Sequence, residues 1–578
     1  MDAVRLRCGH RKMLYDEACL HIQNFAQNMV NIQYQITECY KCSFLPFMDI
    51  YDAQIKKQIV KTTYGTNFRF NFDNNYVDRL LYFEQHGHYG INILQSNVSE
   101  HFTISPPNNA NTPLYSLLWA LFIGIILWNV GFFIMKCTPL YSRLFQPYLI
   151  VNEAENDLGA VAPSRSENTS PLFFFNEPDV NHEIHIERRI KSLDVFRGIT
   201  ITLMLFVNYG GGKYWIFQHS PWNGITIADV IFPWFAWIMG ASLILSINSH
   251  LRNSVTKKKI FMKVILRSIT IFVIGIVLNS MNNNNVETLR FLGVLQRLSL
   301  AYMFVAVLET FFLTRPVRYY ISGRIRKVEE WLYCWIQCIV MVCLVGTYYC
   351  FVSYLNVPGC PKGYLGPGGL HMNGSFANCT GGAVGYVDRI FLNNHLYNGT
   401  LVSSVYHNEL PFDPEGLLGT LTTAFTVFMG AHASRIILCY RTPNGRLTRW
   451  LIIAIILGLL GGHFCGWSKE EGSMPLNKNL WSISFAFVTS SLAFLLKSIL
   501  FYIVDYQSWW SGAPFHQMGK SAILVYIGHI ITKDTIPWNF KPLDYSTHST
   551  VLWMNVWSTS LWIIIAVILD VCNIHVRI

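Results

Sequence analysis

Long apolar runs separated by short polar loops dominate the chain. Thr112 to Met135 carries no charged residue, and as a helix it is long enough to span about 30 Å of hydrocarbon. Further spanning helices are predicted at 193–209, 226–248, 260–280, 291–313, 332–355, 416–438, 450–465, 480–504, 521–538 and 551–574, of which 193–209 and 450–465 are short. Before the first run the pattern changes. Asn31–Glu38 and Asn67–Phe72 alternate polar and apolar residues, the period of half-buried strands. The predicted fold is therefore mainly α, a polytopic membrane bundle of about eleven transmembrane helices with a small β-rich N-terminal domain. The expected divisions are a strand domain at 1–112, a first transmembrane helix at 113–136, a linker at 137–190 and a transmembrane domain at 191–578. The linker assignment rests on Asn152–Asp157 and Ala160–Ser170, which are polar and show no sustained apolar period.

Composition supports the membrane reading. Of 578 residues, 52% are hydrophobic and 13% charged, against about 25% charged in a soluble domain. The net charge of +10 does not indicate a nucleic-acid partner, because the bases gather in short loops between apolar runs. One set of loops holds Arg252, Lys257, Lys258 and Lys259, then Arg315, Arg318, Arg324, Arg326 and Lys327, then Arg435, Arg441, Arg446 and Arg449. The opposite loops hold scattered bases such as Lys213, Arg290, Lys362 and Lys469. The positive-inside rule then predicts a lumenal or extracellular N-terminus and a cytosolic C-terminus. Glycosylation sequons agree: Asn97, Asn373, Asn378 and Asn398 fall on the lumenal side, and only Asn168 falls on the cytosolic side. A lumenal strand domain needs a leader, and Met1–His10 is polar and basic, so the expectation is a truncated start, the alternative being a first span that translocates its N-terminus unaided.

Cys8, Cys19, Cys39 and Cys42 precede the first span, and Cys360 and Cys379 share the long loop 356–415. The Cys39–Cys42 spacing could suggest zinc or a redox pair, but no second metal-like pair accompanies it. On an extracytoplasmic face a disulfide is the expected state, and Cys360 with Cys379 is the other expected bridge. No metal site is expected.

The densest polar cluster at membrane depth runs from Asp194 to Asp229. Asp194 and Arg197, three residues apart, can pair on one helical face. Asn208 precedes Gly210–Gly212, whose three glycines permit a tight turn. His219 lies in a loop with Trp215, Phe217 and Trp222, a setting that also suits an interfacial aromatic belt with an incidental histidine. Asn208 and Asp229 at adjoining helix ends favour a functional histidine, and Asp229, one turn inside its helix, needs a partner such as an imidazole. Arg267 and Arg297 lie deep in their helices, as partners in an ion pair or as receptors for an anion. His529, Lys533 and Asp534 share a late helix, and His432 near a helix end reads as structural.

These residues carry a resemblance. Asp194-Val-Phe-Arg-Gly198, Phe206-Val-Asn-Tyr-Gly-Gly-Gly-Lys-Tyr-Trp215, Asp229-Val-Ile-Phe-Pro-Trp-Phe235, Pro358-Gly-Cys-Pro-Lys-Gly-Tyr-Leu-Gly-Pro-Gly-Gly369, Asn477-Lys-Asn-Leu-Trp-Ser482 and Ile523-Leu-Val-Tyr-Ile-Gly-His529 closely resemble the heparan-alpha-glucosaminide N-acetyltransferase family of lysosomal membrane enzymes. The matches cover most of the chain from about residue 190 onward; the N-terminal domain is similar only loosely. The resemblance implies transfer of acetyl from cytosolic acetyl-CoA to the terminal glucosamine amine of heparan sulfate inside the lysosome, by a homodimer. It places the family's catalytic histidine on His219, its essential asparagine on Asn208 and its Leu-Gln-Arg arginine on Arg297.

The residue types suit that chemistry. An amine must lose a proton before it attacks a thioester, and an imidazole, titrating near about 6.5, can accept it. Asp229 could orient the ring and Asn208 could donate to the oxyanion. Arg197, Arg267, Arg297 and His529 are the expected contacts of CoA. An acetyl-His219 intermediate is the alternative mechanism. The alternative functions are a transporter of a sugar or anion, against which no inverted repeat is visible, and an O-acetyltransferase of another glycan.

Overall fold

The computed structural model of the protein describes residues 7–72, 75–95, 97–137, 190–281, 284–313, 329–397, 399, 403–440, 442–540 and 547–574. The predicted linker, the Asn398 and Asn168 sequons and the bases from Arg315 to Lys327 and at Arg441 lie outside the described residues. The strand domain and the helices from Ile190 onward form one unit, and α1 (Thr112–Cys137) belongs to a separate one.

The N-terminal domain consists of two four-stranded sheets and a short hairpin. The strands predicted from alternation are β4 (Val30–Ile36) and β7 (Thr66–Asn71), and they pair with each other antiparallel, Ile32 opposite Phe70 and Tyr34 opposite Phe68. Side chains on strands alternate between faces, so Ile32, Phe68 and Phe70 all reach the core, with Leu20 and Ile22 of β3 (Glu17–Asn24) and Ile91 of β9 (His88–Ile93). Disulfides join Cys39 to Cys42 and also Cys8 to Cys19; the second pairing was not foreseen.

Helices occupy the predicted positions. They are α2 (Lys191–Tyr209), α3 (Ile227–Arg252), α4 (Lys257–Ser280), α5 (Val294–Phe312), α6 (Trp335–Tyr354), α7 (Gly382–Leu392, in the long loop), α8 (Leu417–Cys439), α9 (Pro443–Phe464), α10 (Ile483–Leu500, continued as a π-turn to Tyr506), α11 (Phe515–Lys520), α12 (Ala522–Thr532) and α13 (His548–Val571). Among the described residues eight helices are long and apolar enough to cross a membrane. The predicted span 521–538 is shorter than expected: α12 has 11 residues, about 16 Å at 1.5 Å per residue. The chain kinks between α11 and α12 at Ser521 and leaves helix before Ile536-Pro537.

α3 and α8 form the centre. With no oil–water difference between lipid tails and side chains, close helix packing in a membrane favours small residues. A Cβ added at Gly240 would lie 1.8 Å from the Val427 carbonyl oxygen, and one at Gly430 would lie 1.8 Å from that of Trp237. The two backbones thus meet at paired glycines, enclosed by Trp237, Ile244, Val427 and Phe428. Beside this crossing, Arg435 of α8 donates through one Nη to both carboxylate oxygens of Glu309 on α5, each at 2.7 Å, and neither side chain is exposed. Arg435→Met leaves the carboxylate buried without its countercharge, so thermal unfolding in detergent is expected to show a loss of about 3–5 kcal/mol. Adding Glu309→Met is expected to restore most of that loss.

Candidate active site

Asp229 sits on the first turn of α3, where the free N–H groups of a helix start favour a carboxylate. Its Oδ2 accepts from the Thr226 backbone N–H at 3.1 Å, half of a capping box. The same oxygen accepts from the Ser220 N–H at 3.1 Å. Its Oδ1 accepts from Nδ1 of His219 at 2.8 Å. With an ionised carboxylate as acceptor, Nδ1 carries the proton and Nε2 presents its lone pair. Asp229 is 1% exposed and His219 is 52% exposed, so a fixed buried acid holds an accessible imidazole.

Two loops brought together by Asn223 complete the site. Its Nδ2 donates to Glu470 at 2.6 Å, its Oδ1 accepts from Asn477 Nδ2 at 3.0 Å, and its backbone carbonyl accepts from the Ser220 hydroxyl at 2.5 Å. Gly224 N–H donates to the Leu476 carbonyl at 2.8 Å. This clasp delivers Lys478 to the histidine: its Nζ lies 3.1 Å from each ring nitrogen of His219 and 3.9 Å from Asp229 Oδ1. Burial lowers the hold of Lys478 on its proton, and the nearby Asp229 and Glu415 carboxylates oppose that effect. Sequence reasoning gave Lys478 no role. Its signal was position, a base beside an apolar span in loops otherwise poor in bases.

Asn208 bonds to a second histidine rather than to His219. Its Nδ2 lies 3.0 Å from Nε2 of His529, a buried residue of α12, and no hydrogen bond joins it to His219 among the described residues. The glycine turn that follows Asn208 has positive φ at Gly210, Gly211 and Gly212. The side chain of Asn555 on α13 braces it, accepting from Gly212 N–H at 2.8 Å and donating to the Tyr209 carbonyl at 2.7 Å. His548 adds a contact at 2.8 Å to the Gly212 carbonyl and reaches Asp16 of the strand domain at 2.7 Å.

The expected anion receptors have varied surroundings. Arg197 donates to Asp194 at 3.1 Å, to the Ser242 hydroxyl at 2.7 Å and to the Gly519 carbonyl at 3.3 Å. Arg267 lies over the Tyr302 ring, 5.0 Å from its centre. Arg297 donates to the Gly416 carbonyl at 2.9 Å and lies near Glu415, Asp388 and Asp413. Arg290 closes that acidic group, donating to Asp413 through Nε and one Nη and to Glu415 through that same Nη. Cys360 and Cys379 are bonded in the same long loop, and Asn97, Asn373 and Asn378 are all exposed. Among the described residues Cys19, His21 and His88 come close enough to share an ion, but the Cys19 sulfur is bonded to Cys8.

Asp388, in the same acidic group, accepts from the Leu417 N–H at 2.8 Å and so caps α8. Burial, reinforced by Asp413, pushes its carboxyl up to about 7, against the pull of the Leu417 N–H, Arg297 and Arg389. An unfolded aspartate titrates near about 3.9. Between about pH 4 and about pH 7 the folded protein therefore holds a proton that the unfolded chain has released, and stability falls as pH rises through that window. Asp388→Asn is expected to flatten this dependence, seen as a smaller drop in melting temperature between about pH 5 and about pH 8.

No family model matches the chain. The heparan-alpha-glucosaminide N-acetyltransferase of Mus musculus is 33% identical over 581 residues, which cover 96% of this chain and 87% of the mouse protein. The Homo sapiens protein of the same name is 33% identical over 587 residues, covering 97% of this chain and 88% of its own length. A likeness of that extent runs through the strand domain, the glycine turn, the His219 loop and the Lys478 loop together, and the chain belongs to the heparan-alpha-glucosaminide N-acetyltransferase family.

Proposed function

We propose that the protein transfers acetyl from cytosolic acetyl-CoA to the terminal non-reducing glucosamine amine of heparan sulfate at the lysosomal membrane, with His219 as general base. The observation that carries this reading is the His219–Asp229 contact, which turns the Nε2 lone pair toward an accessible site. In the reaction an acceptor ammonium gives its proton to Nε2, and the freed amine attacks the acetyl carbonyl. The C–N bond forms, the tetrahedral intermediate collapses, and the C–S bond breaks. The imidazolium then returns its proton to the CoA thiolate, and the acylated nitrogen releases its remaining extra proton to solvent, leaving an N-acetyl sugar and free thiol. Asp229 orients the ring and balances the imidazolium.

Sidedness is part of the proposal. Loop 356–415 and the strand domain touch directly, Asn373 N–H donating to the Lys41 carbonyl at 2.8 Å and Tyr406 to the Glu38 carbonyl at 3.1 Å. Lys469, in the loop that also bears Lys478, pairs with Glu38. The three disulfides and the exposed sequon asparagines thus lie on the side of the protein that bears His219. Oxidised cysteines and sequons suit a lumenal face, which supports an N-terminus in the lumen and a C-terminus in the cytosol. The divisions at 1–112, 113–136, 137–190 and 191–578 follow the same sidedness. On the opposite side CoA phosphates are assigned to Arg197 and Arg267, with pantetheine running along the bundle toward His529 and Asn208. The three carboxylates near Arg297 suit it better to an internal countercharge than to a phosphate. Pairing of two copies is carried over from the family resemblance alone.

His219→Ala is expected to lower acetyl transfer to D-glucosamine by about 10²–10⁴-fold while acetyl-CoA still binds; near-normal transfer would overturn the assignment. Incubation with radiolabelled acetyl-CoA alone is expected to leave no label on the protein, since direct transfer needs no acetyl-histidine.

A further inference from the structure

Lys478 is the charged group closest to His219 for which the reaction above has no use. It is no chance surface lysine. Its side chain is 16% exposed, and its loop is fixed on both sides. Asn477 accepts from the Leu480 N–H at 2.9 Å, while the Ser482 hydroxyl accepts from the Asn477 N–H at 3.1 Å. The Lys478 carbonyl itself accepts from the Trp481 N–H at 3.0 Å.

The contact has a specific chemistry. Because Asp229 holds the Nδ1 proton, the lone pair left for a donor is that of Nε2. A primary ammonium from within the chain therefore stands at the ring edge that a primary ammonium of an acceptor sugar must reach. We propose that Lys478 is an internal stand-in for the acceptor, holding the acceptor-amine position at His219 in the empty enzyme and leaving it when a substrate ammonium enters. This inference rests on the reading of His219 as the base.

Two carboxylates, already hydrogen-bonded elsewhere, still attract the displaced ammonium. Asp229 Oδ1 is 3.9 Å from Nζ, and Glu415 attracts the same ammonium while Arg297 repels it. Exchange of one ammonium for another preserves the charge beside the imidazole. A hydroxyl offers no such exchange, so the lysine favours amine over alcohol acceptors. Occupancy by the lysine also weakens apparent acceptor affinity by the fraction of time the position is filled.

Steady-state kinetics of the full-length enzyme in detergent, with acetyl-CoA saturating and D-glucosamine varied, test the proposal. Lys478→Met is expected to lower KM for glucosamine by about 3–10-fold, the competitor having been removed. Ethylammonium is expected to inhibit that variant competitively at concentrations that leave the wild type unaffected. Lys478→Arg retains a cation and is expected to keep KM at or above the wild-type value. A higher KM in Lys478→Met, or an unchanged KM with a collapsed kcat, overturns the proposal in favour of direct action of the lysine on the reacting atoms. If Lys478→Met fails to bind acetyl-CoA, Lys478→Gln carries the same expectations and the same reversals. An active His219→Ala removes the base reading beneath this inference, whereas an inactive His219→Ala with unaltered KM in Lys478→Met removes this inference alone.

Discussion

The carboxylate of Asp229 satisfies the start of a buried helix and aligns an imidazole at the same time. Oδ2 takes the Thr226 and Ser220 donors and Oδ1 takes His219. A carboxylate buried at a helix start is tolerable because the helix's unpaired N–H groups and partial positive charge meet it there. The loop from Gln218 to Thr226 has little freedom once those bonds form, since Thr226 also donates from its hydroxyl to the Gln218 carbonyl at 2.7 Å. Loss of the aspartate would therefore disturb the backbone as well as the ring, and the two effects share one cause.

The remainder of the molecule holds this loop from several directions. Asn223 ties it to the segment that follows α9, and the Trp222 indole donates to the Leu365 carbonyl of the long loop at 2.8 Å. Beneath it, α3 is anchored by its glycine crossing with α8, so the helix whose first turn carries Asp229 cannot easily shift along its neighbour. The acidic group around Arg290 and Arg297 caps the same α8 from the loop side. The position of one imidazole thus depends on helix packing, a capping carboxylate and two polar clasps, each using residues far apart in the chain.

Much of this was visible in the chain before any coordinates. Charge-free runs marked the helices because hydrocarbon permits little else, and period-two alternation found β4 and β7. His219 and Asp229 could be paired because a buried acid near a histidine has few other partners. Tertiary contacts were less legible. Asn208 and His529 are 321 residues apart, and nothing local to either indicates that they meet. Lys478 was hidden for a similar reason: Asn223 and Asn477, which carry it to the histidine, are ordinary loop residues until the two loops touch. The break between α11 and α12 escaped notice because an apolar run records burial without recording where the helix axis is interrupted.

The brace on the glycine turn bears on how the protein is made. Gly210–Gly212 follows α2, yet its N–H and carbonyl partners, Asn555 and His548, belong to α13, more than three hundred residues later. Until α13 is made the turn has neither partner, and its polar backbone is left without these bonds. The final helix therefore closes the structure as well as extending it. His548 also contacts Asp16 of the strand domain, so segments more than five hundred residues apart are joined at the turn beside Asn208. Quality control that senses an unassembled C-terminal helix would, in the same act, sense an unfinished site.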